Sequence, residues 1–132
     1  IIELLLGGEG KVEYFGVAPV SLITIATDGS YEAVDQIKSV ANGIENLGLN
    51  VFDHELSMVL NHPLINDRTI GIDALSEKCQ SCEFILSCGG GYYPHRFDKV
   101  NNFRNPTIYC SDYIKLFRHI QKSLDIELTN AT

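Results

Sequence analysis

The chain has 132 residues, 45% of them hydrophobic, with 17 Asp and Glu against 10 Lys and Arg and a formal net charge of −7. That size and apolar content suit one compact domain, while the acidic balance argues against a nucleic-acid partner, which calls for clustered Lys and Arg. No polybasic run marks a membrane anchor, the longest apolar stretches such as Val20–Ala26 fall far short of the roughly 20 residues that cross a bilayer, and no secretory signal pattern is present, so the reading is a cytoplasmic protein.

In chain order, Ser21–Thr27 is rich in β-branched residues and predicts a strand. Asp28-Gly29 follows, a dipeptide favoured in tight hairpin turns, and Ser30–Glu32 supplies the short return strand. Val34, Ile37 and Ala41 lie at helical spacing and predict a helix over Ala33–Asn42, closed by Gly43. Asp53 is positioned to cap a second helix carrying Leu56, Val59 and Leu60, which should stop before Pro63. A third short helix is expected over Gly71–Lys78, delivering the chain to Cys79.

From Cys79 to Cys110 the periodicity vanishes. This stretch holds all four cysteines, the consecutive Gly89, Gly90 and Gly91, and two of the four prolines. A loop of that length needs an organiser other than a hydrophobic core. A final helix then opens at Cys110-Ser111-Asp112, with Ser111 as cap and Asp112 at the positive end of the dipole. Its apolar stripe is Tyr113, Ile114, Phe117, Ile120 and Leu124.

The cysteines are spaced C-x2-C-x5-C-x21-C. A disulfide framework fits poorly with a chain that has no secretory features. A thioredoxin-type redox pair needs a helix that starts on the CxxC, whereas here the expected helix precedes it. Metal binding remains, as zinc or as an iron–sulfur cluster. Structural zinc sites with four cysteines usually present two CxxC knuckles, and this chain has one. Two thiols arriving singly suit the larger cubane, whose four irons each take one thiolate, so for Cys79, Cys82, Cys88 and Cys110 one [4Fe–4S] cluster is favoured over zinc, spacing being only a partial guide to the metal. Gly89, Gly90 and Gly91, lacking Cβ, would let backbone N–H groups approach its sulfides.

The string from Cys79 through Cys82 and Cys88 into Gly89-Gly90-Gly91-Tyr92-Tyr93-Pro94-His95-Arg96-Phe97, continued by Asn102-Phe103, Asn105-Pro106 and Tyr109-Cys110, resembles the SPASM domain of radical SAM peptide maturases. It is most similar to the branch that forms cyclophane crosslinks in ribosomally made peptides. Thr27-Asp28-Gly29-Ser30 with Glu32 and Asp35, the Asn50-Val51-Phe52 segment and the approach Gly71…Leu75 extend the resemblance over essentially the whole chain. The general pattern carries seven cysteines for two auxiliary clusters. Here the missing positions fall near Val20, at Val34 and at Tyr92, and all three belong to the first auxiliary cluster. The resemblance therefore implies a single-cluster SPASM domain, α+β in class: a small β-hairpin and several helices around a cysteine-rich loop region that the cluster nucleates.

Radical SAM chemistry also requires a CxxxCxxC loop, which this sequence lacks. With Ile1 at the start, the expectation is the C-terminal part of a longer enzyme. Residues 1–19 would be the tail of, or linker from, a radical SAM domain, and residues 20–132 the auxiliary domain. S-adenosylmethionine and a second [4Fe–4S] cluster would belong to that absent N-terminal domain, and the substrate would be a ribosomal precursor peptide. No residue of this chain is expected to be catalytic. His95 and Arg96 are read either as facing the peptide or as structural. His54, His62 and His119 are read as surface or capping residues. The other class of reading is a stand-alone zinc- or cluster-stabilised module that binds a peptide without catalysis.

Overall fold

The computed structural model describes residues 1–10, 13–20 and 22–130, with side chains in the last helix as far as Asp125. Helices, short 3-10 turns and a three-stranded antiparallel sheet make it α+β, as expected. The chain divides into two compact units, Pro19–Ala74 and Ile1–Ala18 with Leu75–Thr132.

In the Pro19–Ala74 unit, β1 (Thr24–Ile25) pairs with β2 (Ser30–Glu32), Thr24 opposite Glu32 and Ile25 opposite Tyr31. Ser21, the first residue of the longer expected strand, lies outside the described residues. The Asp28-Gly29 turn forms as anticipated: Gly29 has φ +85°. Asp28 Oδ1 accepts from the Ser30 N–H and hydroxyl, which holds the Asp28 carboxyl below its usual range. A third strand, β3 (Asn46–Asn50), adds to β2 with a register shift between Ser30 and Glu32. Nothing in the sequence pattern signalled it.

The helix expected over Ala33–Asn42 is instead a 3-10 turn at Asp35–Ser39. The cause is local: the Ala33 N–H is engaged by the Glu45 carbonyl and Val34 is extended, so the strand geometry persists too far for an α-helix to start. Ile37 still enters the core, with Tyr31, Leu47, Val59 and Ile65. The next helix, α2 (Leu56–Leu60), takes Glu55 rather than Asp53 as its cap position. Asp53 is held by the preceding turn, where its N–H donates to Asn50 Oδ1. Pro63 ends that helix and begins another, α3 (Pro63–Thr69), since proline suits the first helical position.

In the other unit, α1 (Ile2–Leu5) contacts the cysteine-bearing part of the chain, and the Leu4 carbonyl accepts from the Ser87 hydroxyl at 3.3 Å. The helix expected over Gly71–Lys78 is broken into a 3-10 turn, Gly71–Ala74, which belongs to the Pro19–Ala74 unit, and α4 (Glu77–Gln80). Ser76 explains the break: it is extended and its hydroxyl caps α4 by accepting from the Cys79 N–H. The stretch expected to be an irregular loop also holds α5 (Ile85–Cys88) and a 3-10 turn at Tyr93–Arg96. The last helix, α6 (Cys110–Asn130), begins at Cys110 itself, so Ser111 lies inside it and not at its cap. Its apolar stripe faces inward as expected, with Phe117 fully buried against Phe15 and Phe84.

Candidate metal centre

Three of the four cysteines stand in a helix or at its end. Cys79 is in α4, and Cys82 sits in the turn that follows, its N–H bonded to the Cys79 carbonyl. Cys88 is the last residue of α5, where Gly89 takes the left-handed conformation that stops the helix. Cys110 is the first residue of α6. All four are free thiols, and all four line one cavity of about 380 Å³. Its remaining wall is mainly apolar, built from Phe84, Ile85, Tyr113, Ile114 and Phe117.

Such a wall disfavours isolated thiolates. Burial pushes the Cys88 thiol up to about 11, reinforced by its neighbour Cys79 and, less strongly, by Cys110 and Cys82. One group acts the other way: the backbone N–H of Gly90 donates towards Cys88 sulfur and favours its thiolate. Four ionisable thiols gathered in an apolar cavity are stable as thiolates when a cation compensates their charge. An all-thiol donor set is soft and suits zinc or an iron–sulfur cluster. Among the described residues no group of three or more Cys, His, Asp or Glu side chains is set to hold one metal ion. All four thiols line the wall of one chamber.

The structure separates the glycine triplet. Gly90 lines the cavity. Gly89 packs against the backbone of Gly16, and Gly91 against Thr107 and Tyr113, so at both a Cβ would meet protein.

His95 and Arg96 are not part of the cavity wall. His95 lies edge-on between Tyr92 and Tyr109, with ring centroids 5.0 and 5.1 Å away, and its carbonyl accepts from the Ile108 N–H. Arg96 lies over the Tyr93 ring at 4.7 Å, and its carbonyl accepts from the Asn105 side chain. Both brace the segment between Cys88 and Cys110. His54 and His62 hold turns: the Nδ1 of each accepts a backbone N–H, from Asn50 and Leu64 respectively.

Sequence reasoning missed the pair formed by Glu83 and Arg118, both of which line the cavity. The overlooked signal was spacing, because Cys110, Ile114, Phe117 and Arg118 recur on one face of α6.

The sequence matches no family model and no curated protein. Solved structures do share the fold. The chain is similar to native anSMEcpe with bound AdoMet and a Kp18Cys peptide, with TM-score 0.63 and 20% identity over 99% of this chain and 35% of that one. It is similar to native anSMEcpe with bound AdoMet at TM-score 0.64, again 20% identical, over 98% of this chain and 34% of that one. These are structures of an anaerobic sulfatase-maturating radical SAM enzyme with a SPASM domain, so the fold is SPASM-related. The chain spans about a third of their length.

Proposed function

We propose that this chain is the auxiliary iron–sulfur domain of a radical SAM peptide maturase. Cys79, Cys82, Cys88 and Cys110 would hold one [4Fe–4S] cluster, one thiolate to each iron. The observation that carries this reading is the convergence of four thiols, spread over C-x2-C-x5-C-x21-C, on the wall of a single apolar cavity of about 380 Å³. The cluster would supply one-electron redox capacity, or rigidity alone. The chain's own part is plainer: α4, α5 and α6 aim the thiols, Gly90 donates towards Cys88, and the aromatic wall excludes water.

The likeness to anSMEcpe, which in one structure holds a Kp18Cys peptide, supports a parent that modifies a peptide. The resemblance of the CGGGYYPHRF stretch to cyclophane-forming peptide maturases favours a ribosomal precursor peptide and a crosslinking reaction for that parent. On this reading S-adenosylmethionine and a second cluster reside in an N-terminal radical SAM domain, and this chain contributes no catalytic residue.

The test is to purify the chain anaerobically, record its visible spectrum, and count iron, acid-labile sulfide and zinc. Brown protein with iron and sulfide in equal amounts is the expected result. Colourless protein with stoichiometric zinc would withdraw the maturase reading in favour of a structural metal module.

A further inference from the structure

Glu83 follows Cys82 directly, and Arg118 lies on the same face of α6 as Cys110. Arg118 Nη2 donates to Glu83 Oε1 at 2.6 Å, joining the turn after α4 to the last helix. Both residues line the thiol cavity, yet their side chains are 65% and 60% exposed, so the pair sits where the chamber meets solvent. The neighbouring lining residues Phe84 and Phe117 are buried. Cys82 and Cys110 are thus carried by two segments remote in sequence that are fastened together at the cavity rim by one ion pair.

We propose that the Glu83–Arg118 pair is an ionic strap across the mouth of the cavity, controlling how fast the metal held by the four thiols exchanges with solvent. The proposal rests on the reading of the cavity as a metal centre, not on which metal fills it. A metal–thiolate centre loses its metal only when a reagent reaches it or a ligand swings away. Either event is eased when the Cys82 turn and α6 part at the rim. Exposed ion pairs contribute up to about 1 kcal/mol, so the strap should slow exchange by about two- to fivefold. Because both partners are exposed it should also be sensitive to salt: the screening length shrinks from about 8 Å at 0.15 M to about 3 Å at 1 M ionic strength.

The test uses the full chain, loaded with its metal under anaerobic conditions, and follows metal release to a coloured chelator. Wild-type release should quicken about two- to fivefold between low and high salt. Glu83→Gln and Arg118→Gln should each release at the fast rate whatever the salt. The double exchange Glu83→Arg with Arg118→Glu should restore slow release at low salt, a recovery that general loosening of the fold would not produce. Single variants with wild-type rates, or a salt effect that survives in them, would overturn the strap. Metal identity is scored separately by the iron, sulfide and zinc count. A zinc-loaded chain would defeat the cluster reading, and the strap would then stand or fall on zinc release in the same variants.

Discussion

A Cβ built on Gly89 would land on the carbonyl oxygen of Gly16, because the two backbones touch where α5 ends. Gly89 also has φ +59°. Gly89→Ala should therefore suffer both a positive φ and an overlap with main chain, together about 2–4 kcal/mol. Gly7, in the same compact unit, has φ +84° and nothing within 4 Å of its would-be Cβ. Gly7→Ala should cost about 1 kcal/mol from backbone conformation alone. Urea midpoints of the two metal-loaded variants check the difference. Equal losses would mean that the Gly16 contact contributes nothing.

Phe117 is completely buried, with ring centroids of Phe84 and Phe15 at 5.4 and 5.8 Å, and it also walls the thiol cavity. Phe117→Ala is expected to cost about 3–5 kcal/mol, a large part of a domain's total stability. Phe117→Leu should cost less than about 1.5 kcal/mol and retain the metal. Denaturation with a parallel metal count distinguishes this from a mainly metal-facing role, in which Leu would lose metal while keeping stability.

The elements easiest to see in the sequence were those whose cause is local. Asp28-Gly29 makes its turn through Asp28's own side chain, and the stripe from Tyr113 to Leu124 needs only helical spacing. Elements whose cause lies elsewhere in the chain were hidden. The β3 strand reads Asn-Leu-Gly-Leu-Asn, a poor strand sequence, and exists because β2 offers it an edge. Ala33–Asn42 has helical spacing but is diverted by the Glu45 carbonyl. Pro63 was read only as a stop, although proline equally favours the first position of a new helix. At the cavity, cysteine spacing suggested the donor set, but not that Gly89 and Gly91 serve protein packing or that Arg118 reaches back to Glu83.

His62 gives a pH-dependent handle on the Pro19–Ala74 unit. Its Nδ1 accepts from the Leu64 N–H at 3.3 Å and so caps α3, and burial holds its pKa below the ordinary value of 6.5. The fold therefore favours the neutral ring, and a proton on Nδ1 would remove the acceptor. With the folded value below the unfolded one, the contribution is fully present above about pH 6.5 and declines as pH falls through that range. Amide exchange at Leu64 and along the first turn of α3 should quicken on acidification. In His62→Asn, a side chain that caps without titrating in this range, that pH dependence should vanish. Persistence of the effect in His62→Asn would assign it to another group.

Metal removal should not melt the whole region between the first and last cysteine. Part of it has a core of its own: Tyr93 stacks on Phe103 with centroids 4.2 Å apart, Phe97 leans on Phe103, and Arg96 covers the Tyr93 face. The flanks have no such aromatic stack within the loop and pack instead around the thiol cavity, with Phe84 against Phe117. Cys79–Gly91 and Pro106–Cys110 converge on the thiol cavity and are tied to each other by the Thr107 N–H on the Gly90 carbonyl. Since metal binding and local folding are coupled, chelation should strip amide protection from those flanks and leave it around Tyr93–Phe103. Hydrogen exchange before and after chelation reads this directly. Uniform loss from 79 to 110 would mean that the aromatic cluster forms only on a metal-organised frame, and no loss at all would mean that the cavity is held open by protein packing alone.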